Sequence, residues 1–242
     1  MKRFLMLFAA MFCGSSSASE GTLCLTFDDR YFENWEKMIP LFKKYDARVT
    51  FFVFQQLDDK SIAFMKALQS AGHTIGLHGQ NHLRASDYLQ QHGPMTYLKN
   101  EIMPQLEICR KNGIKIRAFA YPFSQRSSET DKELFTVFDF LRTNCTDVKK
   151  KEMKLAEADG CFVKKVGRKQ LFYGFPASGN FNMEEVKTAI KRAAEDNAVL
   201  VFYAHDITEN QVPSHHISIS QLEELLKYAK SLKISIRGLN EL

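Results

Sequence analysis

Two short segments hold the residues best suited to chemistry. Leu23-Cys24-Leu25-Thr26-Phe27-Asp28-Asp29 ends an apolar run in adjacent carboxylates, and Ile75-Gly76-Leu77-His78-Gly79-Gln80-Asn81-His82 ends another in two histidines four apart. Neighbouring carboxylates in one loop repel each other and lose hydration, so something must compensate their charge. A divalent cation would do so; the plainer alternative is a polar turn in which Asp28 or Asp29 caps the next helix. His78 and His82 favour the cation. Histidines at i and i+4 can face one ion from a single helical turn or compact loop, and with Asp29 they make a two-histidine, one-carboxylate set. Such a set leaves coordination positions open for water and substrate, the pattern of a catalytic rather than a structural site. If one aspartate binds the ion, its neighbour is held near the bound water and can act as general base.

Further candidates sit at two more strand ends. Tyr121-Pro122-Phe123 follows one apolar run, and His205-Asp206 follows Val199-Leu200-Val201-Phe202-Tyr203. An imidazole titrates near neutrality, so His205 suits proton donation to a leaving group. His73 precedes its strand and reads as structural. His215 and His216, after Pro213-Ser214, could line a substrate cleft, though exposed loop histidines are the simpler account.

The elements that would position these residues alternate. Strand character marks Thr22–Phe27, Val49–Phe54, Thr74–Leu77, Ile114–Ala120, Phe138–Arg142, Ala198–Tyr203 and Ile234–Ile236. Between them run amphipathic stretches built on Trp35, Met38, Ile39 and Phe42, then Ile62, Met65 and Leu68, then Leu98, Ile102 and Leu106, then Val186, Ile190 and Ala193. Asn182 with Glu185, and Ser218 with Gln221, have the spacing of capping boxes. Repeated β-then-α order predicts an α/β fold with a largely parallel sheet, closed or open, whose functional groups gather at strand ends. Cys145 to Phe181, rich in lysine and glycine, reads as irregular. Its lysines, including Lys149 to Lys151, read as a solvated face.

Met1-Lys2-Arg3, the apolar run Phe4 to Phe12 and the small residues Gly14 to Ser19 predict a signal peptide over residues 1–19, hence an exported protein, periplasmic or extracellular. The apolar run is far short of the ~20 residues of a spanning helix. Cys13 raises lipid anchoring, but the bulky Phe12 before it disfavours that cleavage. Residues 20–242 suit one catalytic domain. Removing Lys2 and Arg3 takes the formal charge from +5 to +3, too weak a bias to imply nucleic acid. Four cysteines remain, with no CxxC spacing. At most one disulfide is expected, Cys145 with Cys161.

Thr26-Phe27-Asp28-Asp29, His78-x-x-x-His82, Phe119-Ala120-Tyr121-Pro122-Phe123 and Phe202-Tyr203-Ala204-His205 resemble, in order and spacing, the signature blocks of the polysaccharide deacetylase family, the homologues of chitooligosaccharide deacetylases. The resemblance implies a distorted (β/α) barrel of about seven parallel strands that hydrolyses N-acetyl, sometimes O-acetyl, groups on sugars. It makes Asp28 the base, Asp29, His78 and His82 the ligands of a divalent metal, and His205 the acid. The backbone N–H near Phe123 would help hold the oxyanion, with Tyr121, Pro122 and Phe123 meeting an acetylated glycan. Zinc fits this ligand set, and cobalt or nickel can occupy similar sites.

Several positions depart from the family pattern. Gly79 stands where Ser or Thr is usual and Arg30 where Gly is usual. Ala120 takes the place of the arginine that orients the base, and Arg142, in Phe140-Leu141-Arg142-Thr143-Asn144, is the candidate to replace it from a neighbouring strand. The tryptophan usual in the fourth block is missing, since Trp35 is the only one in the chain. These departures leave two other readings: an amidohydrolase of the same fold acting on a small cyclic amide, and a metal-stabilised glycan-binding protein without turnover.

Overall fold

The computed structural model describes residues 21–145, 153–209 and 213–242. The signal segment, Cys13 and Lys149 to Lys151 lie outside the described residues.

The strands are β1 (Thr22–Asp29), β2 (Thr50–Val53), β3 (Thr74–Leu77), β4 (Ile116–Ala120), β5 (Phe140–Asn144), β6 (Phe162–Val163), β7 (Gln170–Pro176), β8 (Val199–Ala204), β9 (Ile207–Thr208), β10 (Ile217–Ser218) and β11 (Ser235–Ile236). Seven of them, in the order β1-β2-β3-β4-β5-β7-β8, pair in parallel, and β8 returns to β1. The sheet is therefore a closed barrel. Its circumference is uneven: the β3–β4 register shifts between Ile75 and Leu77, β11 adds to the start of β1, and β6 lies antiparallel on β8.

One barrel strand lies where the sequence reads as irregular. β7 runs through Gln170–Pro176 and pairs with β5 and β8. Gly174 and Pro176 dilute its strand signal. Space at Gly174 is tight, because a Cβ there would stand 3.3 Å from both the Arg142 and the Tyr203 side chains.

A closed barrel alternates residues between inside and outside. Cys24, Phe52, Ala118, Ala120, Phe140, Phe172, Val199 and Val201 form the inner core. Continuing that alternation towards the strand ends gives Asp28, His78, Arg142, Tyr203 and His205. The site residues thus form the top of the barrel interior. The larger outer core joins the other strand faces to the helices, through Trp35, Phe42, Met65, Leu68, Ile190 and Leu225.

Helix starts follow local chemistry. Asn182 accepts from the N–H groups of Glu184 and Glu185, and Ser218 forms a capping box with Gln221. Two further boxes, Asp58 with Ser61 and Ser127 with Thr130, start other helices. The Trp35-to-Phe42 stretch is two helices, Phe32–Lys37 and Ile39–Lys44, with Pro40 in the first turn of the second. A π turn, Leu98–Ile102, precedes the helix Met103–Lys111. Among the described residues no helix is long and apolar enough to cross a membrane.

Candidate active site and metal centre

Asp28 and Arg142 are both buried, at 3% and 1% exposure. The Arg142 guanidinium donates to both carboxylate oxygens of Asp28. Ala120 and Arg142 are register partners on β4 and β5, so the cation comes from the strand next to the usual one, at the same level. The guanidinium lies over the rings of Phe52 and Tyr203, at 5.3 and 4.9 Å from their centres. Burial alone would raise the Asp28 pKa, but the charge of Arg142 and its hydrogen bonds outweigh it and hold the carboxyl below its ordinary value. Asp28 is thus kept ionised in a buried setting. The first helix after β1 has no side-chain cap, so neither aspartate serves as one.

Asp29, His78 and His82 come together with ligand atoms all within 4.8 Å of one another. The His78 and His82 Nε2 atoms are 3.1 Å apart, and they stand 3.8 and 3.7 Å from Asp29 Oδ1. The His78 ring is fixed by a 2.8 Å hydrogen bond from Nδ1 to the Ala120 carbonyl, which leaves Nε2 for an ion. Burial pushes the His78 pKa down to about 3, so the imidazole is neutral as a ligand must be. Asp29 Oδ1 is buried with no hydrogen-bond donor among the described residues. Burial, and then the charge of Asp28, push the Asp29 pKa up to about 7. An orphaned buried oxygen on a charge-repelled carboxylate, facing two neutral Nε2 atoms, fits a divalent cation.

His205 is held on three sides. Its N–H and Nδ1 reach the His215 carbonyl at 2.8 and 3.1 Å, and its carbonyl accepts from Trp35 Nε1 at 2.9 Å. The only tryptophan therefore braces the fourth block from the first helix. Beside it Asn34 Nδ2 donates to both oxygens of Asp206. Burial lowers the His205 pKa, and the Asp28 charge works against that shift.

A cleft of about 260 Å³ joins these groups, lined by Asp28, His78, His82, Arg142, Tyr203 and His205, with Phe123, Asn144 and His215 among the rest. Asp29, His82, Phe123, Ser124 and His215 adopt positive φ, between 54° and 89°. Left-handed backbone at non-glycine residues costs about 1–3 kcal/mol each and persists where surrounding structure enforces it.

Of the third-block residues, Tyr121 reaches the cleft but is 1% exposed, with its hydroxyl donated to Asp131 at 2.8 Å. Pro122 is buried, and its ring lies near Gly79. Phe123 is the one that reaches solvent, at 55% exposure, with its ring 4.6 Å from that of His82. His73 sits at the opposite end of β3, accepting from the Val49 N–H at 3.2 Å between Phe42 and Phe51. Sequence reasoning missed Tyr203, Asn144 and Glu101. For Glu101 a signal existed, a carboxylate set between the apolar positions Leu98 and Ile102.

The polysaccharide deacetylase family model matches residues 15–135, half of the chain. The chain belongs to the polysaccharide deacetylase family. That family carries out metal-dependent deacetylation of glycans. Solved structures similar to this deacetylase include a chitin deacetylase from Colletotrichum lindemuthianum, at 17% identity and TM-score 0.60, covering 92% of this chain and 87% of that one. Another is PdaA of Bacillus subtilis, a family 4 carbohydrate esterase, at 15% identity and TM-score 0.59, covering 92% and 80%. A third is the catalytic domain of a peptidoglycan N-acetylglucosamine deacetylase from Eubacterium rectale, at 17% identity and TM-score 0.53, covering 91% and 89%. At these identities the likeness concerns the fold. No curated protein matches the chain.

Proposed function

We propose that this chain is an exported, single-domain, zinc-dependent hydrolase that removes N-acetyl groups from the amino sugars of a polysaccharide or oligosaccharide. The observation that carries this is the buried Asp28–Arg142 pair beside a convergent Asp29, His78 and His82 set. A divalent cation bound there would polarise the acetamide carbonyl and make nearby water more acidic.

The chain's own residues supply the rest. Asp28 accepts the proton of the attacking water, and Arg142 keeps that carboxylate aimed and charged. The main-chain N–H of Phe123, in the turn after β4, donates to the oxyanion that forms. With Nδ1–H committed to the His215 carbonyl, His205 presents Nε2 and, when protonated there as the imidazolium, gives that proton to the departing amine. Phe123, the exposed residue of the third block, forms the wall against which the sugar lies.

The test is acetate release from N-acetylated chitooligosaccharides and peptidoglycan fragments by zinc-loaded protein. Asp28→Asn should lower the rate by roughly 10²–10⁴-fold, the range of a lost general base. No acetate from either glycan with zinc, cobalt or nickel would overturn the reading.

A further inference from the structure

The two histidines of the metal set are secured very differently. His78 sits directly on the end of β3, with its N–H on the Val53 carbonyl at 2.8 Å and its Nδ1 on that of Ala120. His82 has no strand beneath it. Among the described residues its ring has one hydrogen-bond contact, to His78 itself, and otherwise packs between the rings of Phe54 and Phe123, each centred 4.6 Å away. Its backbone is left-handed, at φ 56°. What fixes His82 must therefore act through the loop that carries it.

That loop rests on Glu101. The side chain is fully buried, in the π turn Leu98–Ile102. Glu101 Oε2 accepts from the Asn81 N–H at 2.9 Å, Oε1 accepts from the Asn81 amide Nδ2, and the Glu101 carbonyl accepts from the Gln80 N–H at 3.1 Å. All three bonds fall on the two residues before His82. The same carboxylate touches Gly79, where an added Cβ would meet Oε2 at 3.0 Å on a backbone at φ +83°. Gly79 and Glu101 thus fit each other as a pair, and the hydroxyl residue usual at position 79 is replaced by a carboxylate from the π turn. A buried carboxylate is costly unless its bonds repay the lost hydration. Among the described residues both hydrogen bonds of the carboxylate go to the ligand loop.

We infer that Glu101 is a positioning residue of the metal centre: by clamping Gln80 and Asn81 it sets the place where His82 meets the ion with His78 and Asp29. This rests on the metal reading given above.

The test is Zn²⁺ affinity, measured by competition with a chromophoric chelator, in wild type, Glu101→Ala, Glu101→Gln and Asn81→Ala. Loss of a group that orients a metal ligand weakens affinity by about 10–100-fold, and Glu101→Ala should fall there. Glu101→Gln, which can still accept from the Asn81 N–H, should bind more tightly than Glu101→Ala. Should Glu101→Ala fail to fold, Asn81→Ala removes one arm of the clamp at an exposed side chain, with a loss of about 10-fold. Unfolding of the metal-free proteins is the control: a merely structural Glu101 would lower the midpoint and leave zinc affinity unchanged. Unchanged affinity in the folded variants overturns the inference alone. A wild type that takes up no zinc overturns both the inference and the metal reading beneath it.

Discussion

Arg142 meets Asp28 across the barrel interior, from a strand three places away around the ring, and both oxygens of the carboxylate receive its N–H groups. The aromatic rings of Phe52 and Tyr203 fix the plane of the guanidinium. Together these contacts explain how a carboxyl with almost no exposure stays charged.

Arg142→Met should leave that charge unpaired. Removing one partner of a buried pair costs about 3–5 kcal/mol, read here as a lower urea midpoint. The Asp28 pKa, held down by Arg142, should rise, so the acid limb of the pH–rate profile moves to higher pH. Arg142→Lys should restore part of the stability but less of the rate, because an ammonium lacks the planar guanidinium that lies over the Phe52 and Tyr203 rings and so aims Asp28 less well. An unmoved acid limb in Arg142→Met would count against this.

His73 makes stability fall with acid. Burial lowers its pKa to about 4, against about 6.5 in the unfolded chain. Between those values the unfolded state binds a proton that the folded state does not, so stability drops as pH falls through this window. The slope is about 1.4 kcal/mol per pH unit, for a total of about 3 kcal/mol. His73→Asn, whose side-chain oxygen can still accept from the Val49 N–H, should flatten that part of the urea-midpoint profile. Parallel profiles for the two proteins would exclude His73 as the source.

Cys145 and Cys161 bring their sulfurs to 2.8 Å in the outer core. With oxidised glutathione these two thiols should become one disulfide, releasing two reduced glutathiones. Closing a loop of this length stabilises by about 3 kcal/mol in the chain-entropy model. Cys24 in the inner core and Cys109 in the outer are buried, and burial raises both thiol pKa values. They should remain thiols. Alkylation under denaturing conditions should add two labels to the oxidised protein and four after reduction, counted from residue 20 onward; four in both would refute the pairing.

Two glycines should rank in a definite order. A Cβ added at Gly76 would stand 2.4 Å from the Phe52 ring and 3.0 Å from the Ala118 carbonyl, whereas one added at Gly174 meets Arg142 and Tyr203 at 3.3 Å. Overpacking of a filled core costs about 1–3 kcal/mol. Gly76→Ala should sit at or above the top of that range and Gly174→Ala near the bottom, by urea denaturation. Gly174→Ala should still lower acetate release, because it presses on the Arg142 side chain at Cδ, next to the guanidinium that holds Asp28.

The alternation of strands and helices made the parallel sheet legible, and the Asp and His pairs at strand ends made the metal set legible. β7 was hidden for a reason of packing: Gly174, which leaves room for the Arg142 side chain, is also what weakens the strand pattern. Arg142 could be singled out by its place near a strand end, but only the β4–β5 register puts it level with Ala120. Glu101 and the Trp35 bond to His205 depend on contacts across 20 and 170 residues. No local periodicity reports such contacts.

Because Ala120 and Arg142 occupy the same storey of adjacent staves, the barrel offers two doors through which one cation can reach the same carboxylate. Moving it from one stave to the next requires a small side chain at the vacated door and a long one at the new one. An inventory taken along the chain would record a lost arginine. Taken storey by storey, the inventory is complete, and exchange of Ala120 and Arg142 for each other becomes a two-residue experiment in how freely such an architecture lets its parts change address.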